Sequence, residues 1–226
     1  MRLYYDLHIH SCLSPCADDD MTPGNICGMA HLKGLDLIAV TDHNSAGNLR
    51  AAEKMARDFG IMLIPGMEIC TREEVHLLAY FETVEAAEKM AEMCRQHLPP
   101  MKNRPDFFGH QFMMNERDEI IGEEDAPLIA ATDLSFSEAC TWARTLKGVP
   151  VPAHIYRGNG LVKMLGFIPK EDHIATIEID RTLPAPKGYH CLHSSDAHRL
   201  QDIQERRFFI EAAPCVRSVL DFLGNA

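Results

Sequence analysis

The sequence predicts an α/β fold, and three observations lead to that prediction. Strand-like apolar runs alternate with segments of helical spacing, as in folds whose parallel strands are joined by helices. The length of 226 residues fits one large domain, and no linker or repeat divides residues 1–226. Histidines and acids recur at the borders of the predicted strands, where α/β barrels gather their sites.

The predicted elements follow from periodicity and from capping residues. Short apolar runs predict seven strands, at residues 2–6, 35–41, 61–64, 75–81, 149–154, 175–179 and 189–193. Helical spacing and caps predict helices at residues 23–34, 45–59, 83–97, 135–147 and 215–223, with a short one ending at 165. The clearest helix start is a capping box, in which Ser135 is followed three residues later by Glu138.

Residues 99–133 break this alternation. Two prolines open the stretch, and six acids fall between residues 116 and 125. We interpret it as an insertion or a long connection that is partly helical, within a single domain covering residues 1–226.

Composition narrows the class of partner. A hydrophobic content of 46% is enough for a sizeable core, and the formal net charge of −11 disfavours a protein that coats long duplex nucleic acid. A small phosphorylated substrate remains compatible with that charge, because bound cations cancel part of the negative field locally. The sequence does not determine an oligomeric state.

The N-terminal residues and the cysteines bear on location. Asp6 comes too early for the apolar stretch of a signal peptide, and no apolar run approaches the roughly 20 residues that span a bilayer. The eight cysteines form no C-x-x-C pair and are scattered, which is typical of reduced thiols. We therefore expect a cytoplasmic protein without a membrane segment. Cys16 stands apart because its loop lies beside the predicted site.

Candidate metal ligands stand at strand borders along the whole chain. They are His8 and His10 after the first strand, then His43, Glu68, His76, His154, Asp196 and His198. Residues i and i+2 of an extended segment point the same way, so His8 and His10 are able to grip one ion. Imidazole and carboxylate suit zinc, manganese or iron, and the two oxygens of Glu68 suit a bridge between two ions.

Other polar residues receive supporting or structural roles. Asp6 and Asp42 each lie near a ligand histidine in sequence and are better placed to orient a ligand than to bind an ion. His110 is an alternative to His76 as a ligand. Lone histidines elsewhere are usually structural, which applies to His31, His97, His173, His190 and His193.

The ordered motifs DLHIHS, TDHN, GMEI, HLLAY, PAHI and SDAH resemble those of the PHP (polymerase and histidinol phosphatase) family. The resemblance spans residues 1–206 and is most specific at its two ends. It implies a distorted (β/α)7 barrel that holds two or three divalent ions, and a hydrolase that cleaves phosphoesters.

The resemblance also implies a distribution of ligands. It assigns the first ion to His8, His10, Glu68 and Asp196; the second to Glu68, His76 and His154; and the third to Asp18, His43 and His198. Asp18 is selected by its distance from Thr22-Pro23, with Asp19 and Asp20 as alternatives. The triple aspartate and Cys16 depart from the family's usual short loop.

These residues predict a metal-dependent phosphoesterase acting on a small phosphorylated substrate, such as a nucleotide or an oligonucleotide end. The expected nucleophile is a hydroxide held between two ions. His198 or His43 is the candidate acid for the leaving alcohol, and Arg157 is a candidate phosphate clamp. The alternatives are an amidohydrolase-type enzyme, a histidinol-phosphate phosphatase and a non-catalytic, metal-stabilised regulatory domain.

Overall fold

The computed structural model describes residues 1–225 and has the mixed α/β architecture that the sequence predicts. The strands are β1 (Arg2–Ile9), β2 (Leu37–Val40), β3 (Met62–Leu63), β4 (Gly66–Cys70), β5 (His76–Tyr80), β6 (Phe112–Met114), β7 (Ile120–Glu123), β8 (Val149–Pro152), β9 (Thr176–Glu178), β10 (His190–Leu192) and β11 (Phe209–Glu211). The helices are α1 (Pro23–Leu32), α2 (Leu49–Asp58), α3 (Val84–His97), α4 (Pro105–Phe108), α5 (Phe136–Thr145), α6 (Leu161–Leu165) and α7 (Val216–Gly224), with a 3₁₀ turn at Leu200–Asp202.

The strands form four hydrogen-bonded sheets. In the order β11-β1-β2-β3, the last three strands are parallel and β11 is antiparallel to β1. The order β4-β5-β8 is antiparallel throughout, β9 and β10 are parallel, and β6 and β7 form an antiparallel hairpin.

The predicted (β/α)7 barrel is not confirmed, because strand pairing within residues 1–225 does not close into one sheet. Isolated parallel bridges join Ile9 to Ala197 and His43 to Glu68, so the sheets meet mainly at their ends. β5 returns from β4 through a tight turn, in which the Thr71 N–H donates to the Val75 carbonyl at 3.0 Å. Such a short connection leaves no room for the crossover helix that parallel strands require.

Strand β2 shows how the sheets are held in place. All four of its residues are buried, and alternate side chains enter two different apolar cores. Ile38 and Val40 pack under helices α1 and α2, whereas Leu37 and Ala39 pack toward α7. A strand buried on both faces is fixed in register, so the residues that follow it are fixed too.

Several predicted elements are recovered, and four of the observed strands, β4, β6, β7 and β11, were not predicted. The capping box of Ser135 and Glu138 is present, with both reciprocal hydrogen bonds formed at the start of α5. β4 was interpreted as a loop around Glu68, and β11 is an edge strand of three residues. A strand this short carries too few side chains to produce a recognisable pattern.

Residues 99–133 contain α4 and the β6–β7 hairpin, which covers one flank of the site. The Phe112 N–H donates to the Cys12 carbonyl at 2.9 Å, which ties the hairpin to the loop after β1. The assignment of the chain to one domain stays a prediction. Among the described residues, the helices are too short or too polar to cross a membrane.

Candidate metal centre

Strand β1, which ends at Ile9, places His8 and His10 side by side at its C-terminal end. Both are fully buried, and their Nε2 atoms lie 3.2 Å apart. The i, i+2 spacing on an extended strand produces this arrangement directly.

Two carboxylates complete a four-donor group around these nitrogens. Asp196 Oδ1 lies 3.3 Å from each Nε2 atom, and Glu68 places Oε1 3.3 Å from His8 Nε2 and Oε2 3.4 Å from His10 Nε2. Donors at the corners of a tetrahedron, about 2.0–2.1 Å from a central ion, lie about 3.3 Å from one another. The distances to the two nitrogens are those expected between ligands of one divalent cation, and His8, His10 and Glu68 each bring one donor atom within 4.8 Å of the others.

Hydrogen bonds on the far side of each ring fix the tautomers. The Glu178 carboxylate only accepts, so His8 Nδ1, 2.9 Å from Oε2, is the donor. The Ser14 hydroxyl gives its single proton to Asp42 at 2.7 Å and so accepts from His10 Nδ1 at 3.0 Å. Both Nε2 atoms are thereby left as acceptors pointing at each other, an arrangement that a cation between them stabilises.

The pKa shifts of His8 and His10 also favour a cation between them. Burial, followed by the positive charge of His43, lowers the pKa of His10 to about 3, which keeps its imidazole neutral. Burial favours neutral His8 as well, but Glu178 and Asp196 outweigh it and hold the pKa of His8 well above its ordinary value. The surrounding carboxylates thus favour positive charge at this position.

A second group of donors surrounds the other side of Glu68. Oε1 lies 3.0 Å from His76 Nδ1 and 3.3 Å from His154 Nε2. Oε2 lies 3.1 Å from His43 Nδ1, a buried nitrogen that has no aligned hydrogen-bond partner among the described residues. Burial would raise the pKa of Glu68, but the charges of His76 and His8 hold that pKa well below its usual range. The carboxylate is therefore ionised and faces histidines on two sides.

Asp6 has a different position from the one predicted for it. Its carboxylate accepts hydrogen bonds from the Ser195 N–H at 3.0 Å, the Ser195 hydroxyl at 2.6 Å and the Gln204 N–H at 2.8 Å. Asp6 thus supports the loop that carries Asp196, rather than orienting a histidine ring. That loop needs support, since Asp196 has a φ of 55°, a conformation that costs a non-glycine residue about 1–3 kcal/mol.

The loop after β1 brings Cys16, rather than an aspartate, to the histidines. The Sγ atom of Cys16 and one ring nitrogen each of His10, His43 and His198 lie within 4.8 Å of one another. Asp18, predicted as the ligand, instead faces Arg199 with 3.5 Å between Oδ2 and Nε, and half of its side chain is exposed. The alternatives Asp19 and Asp20 are exposed as well, outside the described donor groups.

Arg157 lies at the edge of the cluster, as a phosphate-binding residue would. Its Nη2 atom is 3.0 Å from Asp196 Oδ2, and half of its side chain is exposed. A cavity of about 490 Å³ adjoins the cluster at His154 and Glu178, and Arg157 and Arg181 line it. Its volume is in the range of small-molecule sites.

The remaining histidines lie outside the cluster. His110 does not take the place of His76: it is exposed on the insertion, where Nδ1 lies 3.0 Å from Glu123 Oε1. The five histidines predicted to be structural are likewise absent from the described donor groups. All eight cysteines are unpaired.

Sequence reasoning missed Glu178, Ser14 and the position of Cys16. Glu178 is the last residue of β9 and lies one residue before the end of the strand predicted at 175–179, which is the same strand-end signal that identified the other ligands. Ser14 and Cys16 lie in a loop, where side-chain direction depends on turns that the sequence pattern does not reveal.

Comparison with known proteins finds a matching family model and relatives in sequence. A model of the PHP domain matches residues 6–137. Over 74 residues the chain is 37% identical to a 5′-3′ exoribonuclease from Haemophilus influenzae, a match covering 33% of this chain and 26% of that protein.

Solved structures share the fold at lower identity. A lesion-specific endonuclease from Pyrococcus furiosus superposes with a TM-score of 0.72 at 20% identity, over 99% of this chain and 56% of that one. An amidohydrolase from Chromobacterium violaceum superposes with a TM-score of 0.61 at 18% identity, over 94% and 93% of the two chains. This chain therefore spans about half of the endonuclease.

Proposed function

This chain belongs to the PHP domain family, and from that premise we propose that it is a metal-dependent phosphoesterase that hydrolyses a small phosphorylated substrate. A nucleotide or an oligonucleotide end is the proposed substrate class. The family's distorted barrel, with its sheets meeting at the site, is part of the same proposal.

The two-sided position of Glu68 carries this proposal. Its carboxylate oxygens lie 3.0–3.4 Å from ring nitrogens on two groups of histidines. A carboxylate in this position would hold one ion from each group of histidines, and a pair of ions would supply the charge that phosphoester cleavage requires. We assign the first ion to His8, His10, Glu68 and Asp196, and the second to Glu68, His76 and His154. When bound, such ions neutralise charge on the phosphoryl oxygens and acidify water.

The protein's own groups then orient the substrate and move protons. His198 Nδ1 lies 2.8 Å from the Asp196 carbonyl, to which it donates, so its Nε2 atom is available toward the mouth of the site. A partly exposed histidine there is suited to protonate a leaving alcohol while no third ion is bound to it, and His43 is the alternative on the same condition. Arg157 would hold a phosphoryl oxygen with its guanidinium.

Size and charge support a small substrate. The adjoining cavity of about 490 Å³ carries acids such as Asp180 beside its arginines, so it offers no continuous basic track for a long backbone. The similar exoribonuclease and endonuclease both act on nucleic acid, as their names state. Since only part of each relative is matched, activity on nucleic-acid ends remains our proposal.

The experiment is metal analysis of anaerobically purified protein, followed by a substrate panel on the same sample. The panel contains an aryl phosphate, nucleotide monophosphates, short oligonucleotides, histidinol phosphate and a cyclic amide. We expect two or more ions per chain, with turnover of the nucleotide-type phosphates. The variant Glu68→Gln should lose metal and turnover, whereas His110→Ala, which removes an exposed histidine, should keep both.

Each rival function has its own result in that panel. Turnover of the amide alone would support an amidohydrolase, which the fold likeness to the Chromobacterium violaceum protein makes worth testing. Turnover confined to histidinol phosphate would identify the histidinol-phosphate phosphatase. A metal-replete protein inactive on every substrate would contradict catalysis and favour a regulatory domain.

A further inference from the structure

We propose that Cys16 supplies a thiolate ligand, with His43 and His198, to a third metal ion at the mouth of the site. This inference rests on the proposed metal centre, but it concerns a ligand that the family resemblance assigned to Asp18.

The position of the donor atoms is the first argument. The thiol sulfur and one nitrogen from each of these histidines lie within 4.8 Å of one another, together with a nitrogen of His10. His10 already directs Nε2 at Asp196 and Glu68, and its Nδ1 lies beside Ser14. Three protein ligands therefore remain for a third ion, which is the number that leaves a coordination position open.

The loop that carries Cys16 is fixed rather than free. The Ser14 N–H donates to the Ser11 carbonyl and the Ala17 N–H to the Ser14 carbonyl, each at 2.9 Å. The Asp18 N–H donates to the His198 carbonyl, also at 2.9 Å, so backbone hydrogen bonding joins the loop to a proposed ligand. These turns place residue 16 over the histidines and turn residue 18 away from them.

An independent observation points to a ligand here. His43 is only 4% exposed, and its Nδ1 atom, which lies 3.1 Å from Glu68 Oε2, has no aligned hydrogen-bond partner among the described residues. Its ring centroid lies 4.6 Å from that of His10, whose centroid lies 4.3 Å from that of His198. Three imidazoles therefore converge on the side where Cys16 lies.

The chemical type of the ligands determines which metal the third position prefers. Thiolate and imidazole together are typical of zinc, whereas an aspartate in this position would favour harder ions such as manganese. A sulfur ligand thus predicts that the third position differs in selectivity from the carboxylate-rich first position.

The test uses the full chain loaded with cobalt or with zinc. Cobalt-loaded protein should show a thiolate-to-cobalt charge-transfer band, and the variant Cys16→Ser should lose that band and one ion per chain. Cys70 lies opposite His76 in the β4–β5 pairing, so its sulfur is the other candidate ligand for cobalt. Cys70→Ser is therefore the matched control and should keep the band. Cys215→Ser, an exposed change, should keep it as well.

A measurement on the unmodified protein guards against misfolding of the variant. X-ray absorption of the zinc-loaded protein should show sulfur at about 2.3 Å from zinc. A shell of nitrogen and oxygen alone, or a band that survives in Cys16→Ser, would overturn the proposal. Because the readouts are spectroscopic, a positive sulfur signal in a protein without phosphatase activity would retain this ligand while rejecting the proposed function.

Discussion

The inner and outer parts of the metal centre differ in what holds their ligands. In the inner part, His8 and His10 lie at the end of a buried strand, and Glu68 lies on a second strand bridged to His43. In the outer part, Cys16 and His198 lie on loops near solvent. Strand-borne ligands inherit their direction from sheet register, whereas loop-borne ligands depend on individual hydrogen bonds. The inner part should therefore be more sensitive to mutation and more selective in geometry.

Replacing a strand-borne ligand should give the largest effect. We expect His10→Ala to lose bound metal and to lower the rate of hydrolysis by more than about 100-fold. Removing only a hydrogen-bond partner of a ligand already lowers metal affinity or activity by about 10–100-fold. Metal content and aryl phosphate turnover measure this directly. Full turnover in this variant would contradict our assignment of the first ion to His10 and its neighbours.

Replacing a partner of such a ligand should give an intermediate effect. Glu178→Gln keeps the size of the side chain but removes the carboxylate that accepts from His8 Nδ1. We expect metal affinity to fall by about 10–100-fold, measured by competition with a chelating dye. Gln96→Glu, on an exposed helical surface, is a charge-changing control that should leave affinity unchanged.

The metal-free protein should lose stability as pH rises. Burial favours neutral His76, but Glu68 outweighs it and raises the pKa of His76 to about 10. A histidine with a raised pKa stabilises the fold fully below its unfolded pKa of about 6.5, and that contribution is lost as pH rises toward 10.

Between pH 6.5 and 8.5, before unfolded thiols ionise, we expect a loss on the order of 1–2 kcal/mol. Urea unfolding of chelator-treated protein at the two pH values measures it, with His76→Gln as the reference that should change less. Equal slopes in both proteins would mean that the histidine carries no such charge.

Replacing the loop aspartate should give the smallest effect. Since Asp18 faces Arg199 and not the histidines, Asp18→Asn should retain all bound metal, and an exposed ion pair contributes at most about 1 kcal/mol to stability. Elemental analysis of Asp18→Asn and Cys16→Ser side by side compares the two candidate ligands of the third ion. Loss of one ion in Asp18→Asn alone would return the third position to the aspartate.

The order of elements and most of the inner site were predictable from sequence. Alternation of apolar runs with helical spacing gave most strands and helices, because the core imposes period 2 on strands and 3.6 on helices. The i, i+2 spacing of His8 and His10 placed both on one side of β1, since that relation depends only on extended backbone.

Tertiary structure decided the remainder. Only the fold brings Glu178 to His8, 170 positions apart in sequence, and turns the Asp6 carboxylate to the loop of Asp196. Only the turns after β1 choose Cys16 over Asp18, because a loop's side-chain directions are set by its hydrogen bonds and not by residue periodicity. The sequence by itself determined the class of chemistry at the strand ends, whereas the choice of ligand at the mouth of the site required three-dimensional contacts.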